Sequence, residues 1–219
     1  MMANTQHIID KTVDFVKASL KGAEWGHDWW HVYRVWNLAK KIAQTENVNM
    51  LIIELWALLH DIADSKFYDG DEEIGPRKTQ EFLHWLGVDE DIIMHVTNIV
   101  AHISFKGWNH VQTFTSPELD VVQDADRLDA IWAMGIARTF IYGWHKGSLI
   151  YDPNIKPNLH MSKEEYKNST ITTINHFYEK LLLLKDRMNT QTGKYMAQHR
   201  HAFMEQFLDE FYKEWDGEV

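Results

Sequence analysis

Residues 50–62, MLIIELWALLHDI, are apolar on every side of a helix until the last few positions. A helix without a polar face has to be covered all round, so it becomes the centre of the fold that contains it. Asn49 precedes the run and can accept a hydrogen bond from its first turn, which sets the start at Met50. The run then delivers His60–Asp61, and Leu58, Leu59 and Ile62 beside them argue that this polar pair is buried too. A buried ionised carboxylate costs roughly several kcal/mol unless it is paired or ligates a cation. The rest of the sequence must therefore supply a partner.

Helical spacing recurs along the chain. Ile9, Val13, Val16 and Leu20 share a face of a helix expected over 8–20, and Val32, Val35, Leu38 and Ile42 share one over 29–44. Helices over 75–86 and 90–101 follow, separated at Gly87. Ser116–Pro117 opens a long helix expected over 118–142, with proline in its favoured first turn. Ser162–Lys163–Glu164–Glu165 has the form of a capping box and starts a helix reaching Met188. After a turn at 189–193, a last helix is expected over 194–215. The stretches 104–115 and 143–161 read as long loops, of a length usually tied to function or mobility. Only four prolines occur, strand-like alternation is scarce, and repeats, low-complexity segments and linkers are absent. The expected fold is all-α, a single helical domain over residues 1–219.

The formal net charge of −10 argues against sequence-independent binding to long nucleic acid, which needs basic patches to displace counterions. It leaves room for a small phosphate ligand held by local cations or a metal. With no cysteine, disulfides, thiolate metal sites and thiol nucleophiles are excluded, so a metal site has to use His, Asp and Glu. The N-terminus, MMANTQHIIDKTVDF, lacks the apolar region and basic flank of a signal peptide. No stretch of about eighteen apolar residues suggests a membrane span. The expected location is the cytoplasm, and a homo-oligomer is left open.

Partners for His60–Asp61 come from two segments. In HDWWHVYR, residues 27–34, His27 and His31 share a helical face if the helix starts early enough. In QDADRLDA, residues 123–130, Asp124, Asp126 and Asp129 interrupt an apolar segment. Two imidazoles and two carboxylates form a nitrogen–oxygen site suited to Mn, Fe, Zn, Ni or Mg in roughly octahedral geometry. Adjacent helical residues diverge by about 100°, so His60 and Asp61 reach one ion only if it lies between their directions. Asp64, four residues past His60, falls on the histidine's face and suits a general acid/base. Lys66, at the end of HDIADSK, is the cation best placed for a substrate phosphate, ahead of Arg127 and Arg138. Asp124 can instead pair with Arg127 or Arg34, Asp129 can orient a ligand, and His102 can be a core histidine or touch phosphate. Lys146 and Tyr151 lie in the second loop, where they could cover a substrate. Of ten tryptophans, Trp56, Trp85 and Trp132 fall at helical spacing and are expected in the core.

The ordered motifs HDWWHVYRV, LLHDIADSK, VQDADRLDAIWAMGIART and INHFYEKLLLLKDRMNTQTGK together resemble the HD-domain metal-dependent phosphohydrolases, and within them the small bacterial YpgQ/YedJ-like branch. The likeness spans residues 23 to about 215. It implies an HD core over about 23–145 with C-terminal helices over about 162–215. It implies metal ligation by His31, His60, Asp61 and Asp126, with a divalent ion, manganese favoured. Choosing Asp126 over Asp124 or Asp129 rests on that alignment. The implied activity is hydrolysis of nucleoside or deoxynucleoside triphosphates to monophosphate and pyrophosphate through a metal-activated water. Alternatives are an HD phosphodiesterase or phosphatase acting on another phosphorylated nucleotide, and a nucleotide-sensing HD module without turnover. Trp132, in AIWAMG, stands where that branch more often has glycine, which bears on substrate choice. The E-x-x-H strings Glu24–His27 and Glu81–His84 lack further core glutamates, which sets a ferritin-like di-iron protein aside.

Overall fold

The computed structural model describes residues 2–22, 28–62, 71, 73–103, 114–159 and 172–218, and no strand occurs among them. Two compact units emerge, residues 1–125 and 126–219.

The first unit contains α1 (Met2–Ser19), α2 (Trp29–Ala43), α3 (Met50–Leu59), α4 (Ile74–Trp85), α5 (Glu90–Ile103) and most of α6 (Pro117–Asp129). Helix α3 is central, packed against α1, α2 and α5. Ile53, Leu55, Trp56, Ala57, Leu58 and Leu59 are wholly buried, each large side chain contributing about 1.5–3 kcal/mol of apolar burial. The Asn49 side chain caps α3 by accepting from Leu51 N at 3.0 Å. Asn49 N in turn donates to Glu118 Oε1 at 2.9 Å, tying the start of α3 to the start of α6. Helix α2 buries Val32, Val35, Ala39 and Ile42, the face expected from their spacing. Helix α4 packs on α5, and its Phe82 stacks on Phe15 of α1 at 4.0 Å.

Three expectations about this unit change. Helix α3 ends at Leu59, with His60 as C-cap, instead of reaching Ile62. Helix α1 begins at Met2, six residues before the apolar pattern does, because polar residues continue a helix whose buried face is already set. Trp85, expected in the core, is 73% exposed. It lies at the last turn of α4, stacked only partly on Phe82 at 6.0 Å.

The second unit holds the end of α6, α7 (Ala133–His145), α8 (Thr173–Glu179), a 3₁₀ helix (Leu181–Arg187) and α9 (Gln191–Asp216). Helix α7 packs on α8 and α9, and the 3₁₀ helix packs on both α8 and α9. Ile174, Phe177, Leu181, Leu184, Ala197, Met204 and Leu208 form the core, with Phe207 stacked on Phe177 at 5.7 Å.

The long helix expected over 118–142 is two helices. Apolar spacing continues through the join, but Trp132 adopts φ 82°, ψ −161°, a region essentially reserved for glycine and costing other residues about 1–3 kcal/mol. The reversal is tight, since a Cβ on Gly135 would lie 2.3 Å from the Ala130 carbonyl oxygen. Trp132 is 40% exposed, which corrects its expected core position. The expected helix ending at Met188 is likewise interrupted. Thr172 caps α8 through Asn175 N, and Lys180 leaves helical geometry at φ −140°, ψ −59°. The chain then tightens into the 3₁₀ turn that buries both Leu181 and Leu184, three apart as the three-residue repeat requires. The capping box at 162–165 lies outside the described residues. The turn expected at 189–193 is shorter, because Thr190 accepts from Gly193 N and starts α9 at Gln191.

Candidate metal centre

Helix α2 presents His31 near its first turn. Asp28, the N-cap, accepts from His31 N at 2.9 Å, so the histidine sits where the helix start is pinned. Its side chain is 2% exposed. Helix α3 presents His60 at its C-cap, with the side chain 3% exposed. The wholly buried Trp56 stacks on the His60 ring at 4.9 Å and 26°. His60 Nδ1 lies 2.9 Å from the Ala57 carbonyl oxygen. A carbonyl only accepts, so Nδ1 carries the hydrogen, and in the neutral ring Nε2 keeps its lone pair.

That lone pair faces two other ligand-type atoms. His60 Nε2 is 3.2 Å from His31 Nε2 and 3.5 Å from Asp61 Oδ2, and His31 Nε2 is 3.3 Å from the same oxygen. The end of α3 at Leu59 makes this convergence possible. Asp61 is already in a turn, so the 100° divergence of successive helical side chains no longer applies. Asp126 follows Ala125 in the continuous helix α6.

These residues fit a divalent cation. Two imidazoles and two carboxylates are a borderline-to-hard donor set. Donors bonded to one ion at about 2.0–2.2 Å stand about 3.0–3.5 Å apart in octahedral or tetrahedral arrangements, which matches the triangle of His31, His60 and Asp61. The orientation of His60 by a backbone carbonyl through its other ring nitrogen is the support that histidine ligands commonly have. Asp61 is half-buried, its side chain 19% exposed, and lone pairs converging on it call for positive charge, supplied by a proton or a metal.

Other sequence candidates have different surroundings. Asp124 is wholly buried. Asp129, 3% exposed, is ion-paired with Arg138, so it supports the end of α6 through that cation. Arg127 donates to the Arg187 carbonyl. His102 Nδ1 meets its own helix at the Asn98 carbonyl, 2.8 Å away, with Phe114 beside its ring at 5.5 Å. Lys146 sits over the Tyr142 ring at 5.7 Å, and Tyr151 packs among Phe211, Tyr212 and Trp215. Asp64, Lys66 and His27 lie outside the described residues, and α2 starts at Trp29, after His27.

Sequence reasoning missed three supporting groups. Asp28 could have been found as an aspartate just before a helical apolar run. Trp56 is four residues before His60, the spacing at which helical side chains meet. Arg200 of α9 donates to the Leu128 carbonyl and lies over the Trp132 ring, 5.2 Å from its centroid. Burial pushes its guanidinium below the usual arginine range, while Asp129 pulls it back up. Nothing local in the sequence announces that contact.

Residues 29–131 match the HD domain family model. The chain is 36% identical over 204 residues to the protein YpgQ of Bacillus subtilis (strain 168), covering 93% of this chain and 91% of that one. An HD-superfamily hydrolase from Bacillus thuringiensis is similar in structure, with TM-score 0.77, 44% identity, and coverage of 97% of this chain and 98% of that one. The crystal structure of Bacillus subtilis YpgQ in complex with ADP matches with TM-score 0.77 and 33% identity over 96% of each chain. This chain belongs to the HD-domain superfamily. It is a hydrolase of the metal-dependent phosphohydrolase kind, which implies a divalent metal ion. No helix among the described residues is long and apolar enough to cross a membrane.

Proposed function

We propose that this protein hydrolyses nucleoside or deoxynucleoside triphosphates to monophosphate and pyrophosphate, using a divalent ion, manganese in preference, held by His31, His60, Asp61 and Asp126. The observation that carries the metal assignment is the donor triangle of His31, His60 and Asp61, with the His60 lone pair turned inward by the Ala57 carbonyl. Support for a nucleotide comes from the resemblance of the four motifs and from the relative YpgQ, whose structure is a complex with ADP.

When bound, a divalent ion lowers the pKa of a coordinated water and neutralises phosphoryl charge. The protein's task is then chiefly positioning, because phosphoryl transfer needs little covalent help. Trp56 and the Ala57 carbonyl fix the plane and tautomer of His60. The Asp28 cap fixes the turn carrying His31. Asp64 serves as general acid/base, a role supported by the resemblance, and Lys66, at the end of HDIADSK, binds a substrate phosphate.

Phosphorus NMR tests this directly. The purified protein is incubated with Mn²⁺ and a panel of nucleoside and deoxynucleoside triphosphates, with His60→Ala as control. Pyrophosphate plus monophosphate, absent in the variant, is the expected result. Inorganic phosphate or tripolyphosphate would move the scissile bond. No turnover with any divalent metal would overturn the proposal in favour of another substrate or a sensing role.

A further inference from the structure

We infer that Trp132 is a stacking platform for the base of a nucleotide, with Arg200 as the support behind its ring. The inference rests on the proposed nucleotide reading and adds the part of the protein that would recognise the base.

Trp132 occupies backbone geometry at φ 82°, ψ −161° that an L-residue with a Cβ rarely adopts, and glycine would sit there with less strain. The large ring is therefore held where the backbone least favours a side chain. Its surroundings account for how it is held. Phe203 meets it edge-on at 6.2 Å, and His199 lies tilted at 6.3 Å. Arg200 lies over the ring and is itself anchored by the Leu128 carbonyl. A cation against an indole face draws on its negative quadrupole, which favours an electron-rich planar group on the remaining surface. The ring is 40% exposed, so packing fixes it without covering it. A rigid, half-open aromatic surface backed by arginine is the chemistry that binds unpaired bases.

Placement in the chain agrees. Trp132 follows Asp126 by six residues, and the intervening segment is the last turn of α6 and one tight reversal. The proposed metal ligand and the proposed base platform thus stand on one short segment of chain.

The test is equilibrium dialysis of the full-length protein with Mn²⁺, comparing ADP with inorganic pyrophosphate, which has no base. Trp132→Gly keeps the backbone conformation accessible and removes the ring. Trp132→Phe keeps a ring. We expect Trp132→Gly to weaken ADP binding about tenfold or more and to leave pyrophosphate binding within about twofold. Trp132→Phe should recover most of the ADP affinity. Equal ADP affinity in Trp132→Gly and the parent protein would overturn the inference, as would parallel losses for ADP and pyrophosphate or no ADP binding by the parent. Selective ADP binding by a parent protein that hydrolyses no nucleotide would leave the platform standing and refute the proposed reaction alone.

Discussion

The strain at Trp132 can be isolated by comparing two substitutions that both delete its ring. Trp132→Ala keeps a Cβ at φ 82°, ψ −161°, whereas Trp132→Gly removes it. The two variants lose the same contacts with Arg200, His199 and Phe203, so those losses cancel in the comparison. Holding a non-glycine residue in that region costs about 1–3 kcal/mol. Against this, glycine's freer unfolded chain takes back about 0.4–1 kcal/mol. Trp132→Gly should thus be the more stable of the two by about 1–2 kcal/mol. For a chain of this size that is a difference in Tm of about 2–8 °C. Urea unfolding followed by far-UV circular dichroism measures it, with the slope of the transition compared to confirm that the unfolded states match. Equal midpoints, or a more stable alanine variant, would refute the assignment of strain to this residue.

Three further perturbations follow from the second unit. Arg138→Met removes the cation paired with the nearly buried Asp129 and should cost about 2–4 kcal/mol. A loss below about 0.5 kcal/mol in urea unfolding would mean that the pair behaves as a surface ion pair. Gly143→Ala places a Cβ 2.3 Å from Thr173 Oγ1 and should cost about 1–3 kcal/mol, while the double variant with Thr173→Ala should regain most of it. A double variant as unstable as the single one would contradict that clash. His176, held neutral by burial and then by Lys180, has its pKa pushed down from 6.5 to about 3. Below pH 6.5 the unfolded chain takes up a proton that the folded protein refuses, so this contribution is fully present above 6.5 and is lost as pH falls towards about 3. His176→Gln should flatten that part of the stability–pH curve, and an unchanged slope between pH 6.5 and about 3 would count against it.

The central helix was legible because α3 has no polar face, and burial of Leu55, Trp56, Leu58 and Leu59 follows from that alone. The convergence of His31 and His60 was legible only as a requirement that Asp61, expected to be buried and 19% exposed in the fold, find company. What the sequence lacked was the end of α3. Periodicity runs on to Ile62, but the helix stops at Leu59, and that stop lets adjacent residues aim at one point. The split between α6 and α7 was hidden for a related reason. Apolar spacing continues across Ala130–Trp132, and the reversal shows in the positive φ of Trp132 and the close approach of Gly135 to the Ala130 carbonyl. Arg200 was beyond local reading altogether, because its contacts with Leu128 and Trp132 bridge about seventy residues of chain.

The most direct test of the metal centre is a titration of the metal-stripped protein with Mn²⁺, reading free ion by electron paramagnetic resonance. The parent protein should take up one tightly bound ion per chain, and His60→Ala, which removes the inward lone pair, should lose that ion while keeping its far-UV spectrum. Uptake of the same ion by the folded His60→Ala variant would contradict the assignment of the centre to His31, His60, Asp61 and Asp126.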